Sequence, residues 1–224
     1  MPLETVVLPE GLEEIQGAAF SGIGTLKNVN IPSTITTIPD GCFSGCSNLK
    51  QVEIPNSISR IGSSAFGGAG LTEIIIPTSV KFIGSSAFGG CPATKVYIPN
   101  TLETLQSGAF NLYNANYSNN TLTELYVDTD LVAGTNFTGG AATTNLLFPA
   151  IFGNVNYSAL KRVELGPHVT RIGDYAFYYS DRNDREIIFG DSVKEIGKYA
   201  FAYASLANEL DLSHVEHIEN RAFM

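Results

Sequence analysis

Apolar and polar residues alternate along this chain in a phrase that keeps returning. In "LKQVEIP" (49–55) the last residues run apolar, polar, apolar, which is the two-residue period of a strand with one buried face. Its relatives "LKNVNIP" (26–32), "LTEIIIP" (71–77), "LTELYVD" (122–128) and "LKRVELG" (160–166) predict further short strands. Proline follows several of them and ends ladder pairing, because it has no amide to donate. The stretch after the strand, as in "SISRIGSSAF" (57–66), places Ile58, Ile61 and Phe66 inward, with a turn expected at Gly62 and the small serines. Neither part holds ten residues of helical periodicity, so few helices are expected.

The two parts together form one repeat. "IPNSISRIGSSAFGGA" (54–69) returns 22 residues later as "IPTSVKFIGSSAFGGC" (76–91), with eleven of sixteen letters identical. A phenylalanine anchors each copy: Phe20, Phe43, Phe66, Phe88 and Phe110, then Phe152, Phe177, Phe201 and Phe223. The gaps are 23, 23, 22 and 22, then 42, then 25, 24 and 22, so about nine copies cover residues 1–224 as one domain. One copy cannot bury its own apolar side. Stacking the copies pairs strand with strand and lines the isoleucines and phenylalanines into a continuous core, a solenoid about 45 Å long at the usual strand spacing. Residues 111–159 break the period and read as an irregular insertion. The chain starts and stops within a repeat, with no polar cap before "LETVVLP" or after "NRAFM", so a piece of a longer protein is expected.

The pattern L-x-x-V-x-I-P followed by S-I-x-x-I-G-x-x-A-F-x-G-C resembles the BspA-like leucine-rich-repeat surface proteins, and the resemblance covers most of the chain. It implies a leucine-rich-repeat solenoid, right-handed and mainly β, with one parallel strand per 22–25-residue repeat and short turns. It also implies a secreted or surface-attached protein, of a kind that includes adhesins for host matrix proteins, host cells or other microbes. The family shares no catalytic residues, so none carry over.

Composition narrows the partners. With 22 Asp and Glu against 13 Lys and Arg, the net charge is -9. Nucleic acid, which requires a basic stripe, is not expected as a partner. Nor is an anionic membrane surface. No stretch approaches the roughly 18 apolar residues of a membrane helix, so this segment is not expected to insert. The acidic start "MPLETVVLPEGLEEI" does not read as a signal peptide.

Candidate chemistry is sparse. Cys46 and Cys91 hold the same repeat position two copies apart, about 10 Å by strand spacing, too far for a disulfide. Cys42 takes the slot of Ala65, Ala87 and Ala109, that of a small buried residue. His168 and His214 fall at matching turn positions two copies apart, and "HVEH" (214–217) lies in a turn, not in the helix that a zinc motif requires. "VDTDLVAG" (127–134) has too few ligands for a calcium loop. No G-x-S-x-G elbow occurs, and the recurrent glycine pairs are turns. An enzyme is not expected, nor a cofactor or metal.

The informative residues vary while the repeat stays fixed. Alternation sends two columns outward from the strand face. One column is Val7, Asn30, Glu53, Ile75, Tyr97, Tyr126, Glu164, Ile188 and Asp211. The other is Thr5, Asn28, Gln51, Glu73, Lys95, Glu124, Arg162, Glu186 and Glu209. Ile75, Tyr97 and Tyr126 are expected side by side, with Glu53, Glu73, Glu124 and Glu164 around them. Aromatic anchors inside a polar rim describe a protein interface. Tyr113 and Tyr117, in the insertion just before the strand of Tyr126, extend the same expected surface. Four N-x-S/T patterns, at Asn116, Asn119, Asn136 and Asn156, are glycosylation acceptors only in a eukaryotic secreted protein. The expected function is extracellular protein recognition, adhesin-like, with carboxylates selecting a cationic or hydroxyl-rich partner. The alternatives are a structural spacer and a carbohydrate-binding module.

Overall fold

The structure is a computed structural model of the chain and describes residues 2–112, 121–130, 159–177 and 185–224. Among these, the first half of the chain contributes β1 (Thr5–Val6), β2 (Asn28–Val29), β3 (Thr37–Ile38), β4 (Arg60–Ile61), β5 (Glu73–Ile75), β6 (Phe82–Ile83), β7 (Lys95–Ile98) and β8 (Thr104–Leu105). The second half adds β9 (Glu124–Val127), β10 (Arg162–Leu165), β11 (Arg171–Ile172), β12 (Glu186–Phe189), β13 (Glu195–Ile196) and β14 (His217–Ile218). All pairings are parallel, and the chain is a parallel β-solenoid with almost no helix among the described residues.

The strand phrase builds the first face, a five-stranded sheet in the order β12-β10-β9-β7-β5, with the β1-β2 pair beside it in the chain. Ile74, Ile76, Val96, Ile98, Leu125 and Val127 point inward and are buried, as the alternation requires. The second phrase is not only a turn. Its two residues that end on the isoleucine or leucine, as in Arg60–Ile61, pair across copies, giving a second face of β3-β4-β6-β8 and another of β11-β13-β14. Two-residue strands are too short to show a period, so the apolar pattern alone could not reveal them.

The expected ladder of first-phrase strands is interrupted. Residues 51–54 join neither neighbouring rung by backbone hydrogen bonds, although Thr72 N still donates to the Lys50 carbonyl at 3.2 Å. An open cleft of about 380 Å³ lies there, lined by Val7, Asn30 and Glu53 among others. The rung keeps its place because Leu49 inside and the Phe43–Phe66 stack below it are continuous. Residues 209–211 likewise form no strand; Asn208 instead pairs its side-chain amide with the N–H and carbonyl of Ile187.

The phenylalanine column is the spine. Phe43, Phe66, Phe88 and Phe110 are fully buried, and successive rings from Phe20 to Phe110 lie 5.3–5.4 Å apart and nearly parallel. Phe177, Phe201 and Phe223 continue it at 5.2 Å. Each buried ring contributes about 1.5–3 kcal/mol by transfer, and stacking adds to that. The turn before each ring is also laddered: Phe43, Phe66 and Phe201 donate their amides to the Ala65, Ala87 and Ala222 carbonyls at 2.7 Å.

That turn carries one left-handed residue per copy, two positions before the phenylalanine. The column is Ala18, Gly41, Ser64, Ser86, Gly108, Tyr175, Tyr199 and Arg221, with φ between 51° and 67°. A non-glycine residue there costs about 1 kcal/mol against glycine. Close packing makes other glycines obligatory: a methyl on Gly62 would strike the Asp40 carboxylate, which accepts the Ser63 amide at 2.8 Å.

Candidate functional site

The parallel register of β5, β7, β9, β10 and β12 sets Ile75, Tyr97, Tyr126, Glu164 and Ile188 in one row across the first face. Ile75 is 59% exposed and Tyr97 38%. The rings of Tyr97 and Tyr126 stack at 4.4 Å with an interplanar angle of 1°. This distance is shorter than the strand spacing of about 4.8 Å, so the rings lean together. A shallow depression of about 160 Å³ borders them, with Lys95 and Arg162 on its rim.

The second column reads Glu73, Lys95, Glu124, Arg162, Glu186, alternating in sign from rung to rung. Lys95 pairs with Glu124 at 2.9 Å, and Arg162 holds Glu164 at 3.0 Å and Glu186 at 2.6 Å. Each pair is roughly half exposed, so its worth to stability is small, about 0–1 kcal/mol. The carboxylates of Glu124 and Glu164 are matched by cations within the sheet. The charges of Lys95 and Arg162 lay in the same outward columns, and their spacing was the available signal. Glu73 remains exposed beside Lys95 on the outward row, and Glu53 lies on the unladdered rung at the cleft. Tyr113 and Tyr117 lie outside the described residues.

Tyr126 is seated by residues that sequence reasoning did not single out. Where other copies have Pro32, Pro55, Pro77 and Pro99, the rungs of β9 and β10 end on Asp128 and Gly166. A methyl on Gly166 would meet the Tyr126 hydroxyl at 2.5 Å and clash with the Asp128 carboxylate. Asp128 is only 7% exposed. Its Oδ1 accepts the His168 backbone N–H at 2.8 Å, and its Oδ2 lies 2.9 Å from His168 Nδ1. Burial and the neighbouring Asp128 charge push the Tyr126 phenol up to about 12, with Tyr97 and Glu164 adding to the effect. Tyr126 is therefore a neutral donor at physiological pH. The signal for this cluster was the loss of proline in two consecutive strand phrases.

"VDTD" is accordingly a cap. Asp130 accepts the amides of Thr170 and Arg171 at 2.8 and 3.4 Å, donors that in other copies bond a carbonyl of the preceding rung. Among the described residues no three His, Cys, Asp or Glu are grouped to hold a metal ion. Also among them, His214 lies 3.0 Å from Asp191, and His217 4.0 Å from Glu219. The three cysteines are free and buried, and burial pushes the thiols of Cys42 and Cys91 up to about 12. Among the described residues no helix is long and apolar enough to cross a membrane.

The repeat and the coil it forms agree with a known family. The profile of the BspA type leucine rich repeat region matches residues 1–123 and 150–224, in 6 copies. The chain belongs to the BspA-type leucine-rich-repeat family. Solved structures similar to this BspA-type chain include two leucine-rich-repeat proteins and a vaccine antigen. One from Eubacterium ventriosum is 20% identical with a TM-score of 0.53, covering 96% of this chain and 55% of its own. One from Bacteroides ovatus is 25% identical with a TM-score of 0.47, covering 91% and 65%. The pneumococcal vaccine antigen PcpA is 18% identical with a TM-score of 0.49, covering 72% and 36%. The BspA-type chain thus spans between about a third and two thirds of the length of these proteins. No curated protein matches the sequence.

Proposed function

We propose that this BspA-type solenoid is an extracellular recognition module that binds a protein partner, adhesin-like, through the strand face at β5, β7 and β9. The single observation that supports it most is the stacked, solvent-facing pair Tyr97–Tyr126 next to exposed Ile75. These side chains cover none of the core, which lies on the opposite side of the same strands. Tyrosine and isoleucine inside a ring of matched charges have the composition of an interface centre with a polar rim. The neutral Tyr126 phenol and the paired charges favour a partner surface with hydrogen-bonding and apolar groups over a purely cationic one.

Binding of the chain to a panel of matrix and cell-surface proteins and glycans, with Tyr97→Ala/Tyr126→Ala run alongside, tests this. A protein ligand lost in the folded variant supports the reading. A glycan ligand alone, or a protein ligand retained by the folded variant, overturns it.

A further inference from the structure

The left-handed turn column changes character along the solenoid. Its first five described members are Ala18, Gly41, Ser64, Ser86 and Gly108, and its last three are Tyr175, Tyr199 and Arg221. The same backbone is present throughout: the amides of Gly41, Ser64, Tyr175 and Tyr199 each donate to a carbonyl of the next copy at 2.9–3.3 Å. The early copies therefore show that the turn needs no side chain. A second left-handed column repeats the change, with Gly22, Gly45, Gly68 and Gly90 giving way to Tyr203, which is 51% exposed. Among the described residues, bulky side chains have thus entered the backbone conformation that suits them least in one region and in both columns. Strain of this kind persists where a side chain is used.

What they assemble is specific. Tyr175 and Tyr199 stack at 5.1 Å. Arg221 Nη1 donates to the Tyr199 hydroxyl at 2.7 Å, its guanidinium lies 5.8 Å from that ring, and Lys198 Nζ lies 5.7 Å from it. The nearby carboxylate of Asp174 is taken by the Arg171 guanidinium at 3.1 Å and the Lys198 amide at 3.0 Å. Lys198 and Arg221 thus flank the stacked rings and, among the described residues, pair with no carboxylate, in a chain whose net charge is -9.

We propose that Tyr175, Tyr199 and Tyr203 with Lys198 and Arg221 form a second recognition surface, on the turn after the second face, for an acidic protein segment. Cations beside rings that already stack on each other suit carboxylates better than sugar rings, because Tyr175 and Tyr199 turn a face to each other. Tyrosine and arginine are the side chains that dominate interface centres. The molecule is acidic as a whole, so the cations of this shelf are what draw such a segment to it.

The test is calorimetric titration of the full chain with poly-L-glutamate, at low and high salt. Binding is expected at low salt and weakens as salt rises. Tyr175→Gly/Tyr199→Gly/Arg221→Gly, which gives these copies the turn residue of Gly41 and Gly108, is expected to weaken it at least tenfold with an unchanged or higher thermal midpoint. If that variant does not fold, Lys198→Gln/Arg221→Gln keeps both rings and is expected to show the same loss. Tyr97→Ala/Tyr126→Ala is expected to bind poly-L-glutamate normally, which separates this proposal from the strand-face reading. No binding by the full chain, equal binding by the folded ridge variants, or binding of heparin without poly-L-glutamate overturns it.

Discussion

Two aromatic stacks run through the same coils with opposite roles. Phe66, Phe88 and Phe110 lie inside at 5.3 Å, while Tyr97 and Tyr126 lie outside at 4.4 Å. A solenoid stacks whatever occupies a column, so stacking by itself carries no functional message. Burial separates the two. The phenylalanines meet isoleucine, alanine and cysteine on all sides and are spaced by the backbone ladder of their turns. The tyrosines have solvent on one side and lean closer than the ladder demands, with room made by Gly166 and Asp128 at the strand ends. The inner stack holds the molecule together, and the outer one is available for use.

The inner stack breaks with the largest effect. Phe66→Ala removes a ring with neighbours above and below and is expected to cost about 3–5 kcal/mol, read as a drop in the denaturant midpoint. The cysteines around it report the same packing. Cys42 and Cys91, with thiols pushed up to about 12, are expected to resist alkylation at neutral pH in the native state and to react on unfolding.

Disturbing the seat of the outer stack costs less. Gly166→Ala forces apart the Tyr126 hydroxyl and the Asp128 carboxylate, for an expected loss of about 1–3 kcal/mol and weaker ligand binding. The Tyr126 phenol sharpens the comparison through pH. Its folded value is raised from 10 to about 12, so the fold favours the neutral form. The resulting stability is complete below pH 10 and is lost as pH rises through about 12. In a titration of phenolate absorbance, Tyr126→Phe is expected to remove a step near pH 12 and to flatten this loss.

The spine and the outward columns were legible because a fixed period with an invariant phenylalanine leaves only one way to stack the copies. Ile75, Tyr97 and Tyr126 fell into register for that reason. The pairing of Glu124 with Lys95 and of Glu164 with Arg162 was not foreseen, since the period fixes which residues are neighbours and not which side chains close an ion pair. Asp128 and His168 are 40 residues apart, across the insertion, and no local pattern links them. The left-handed φ of Tyr175, Tyr199 and Arg221 was hidden for a different reason. Only glycine signals that conformation in a sequence, and here the glycine is absent.

The most direct test concerns the outer stack. Thermal unfolding and partner binding are measured together for Tyr97→Ala/Tyr126→Ala. Loss of one outward-facing pair is expected to cost only about 0.2–1 kcal/mol in stability while abolishing binding of the protein ligand. Wild-type affinity in a variant that folds normally would contradict the claim that the strand face is where this solenoid binds.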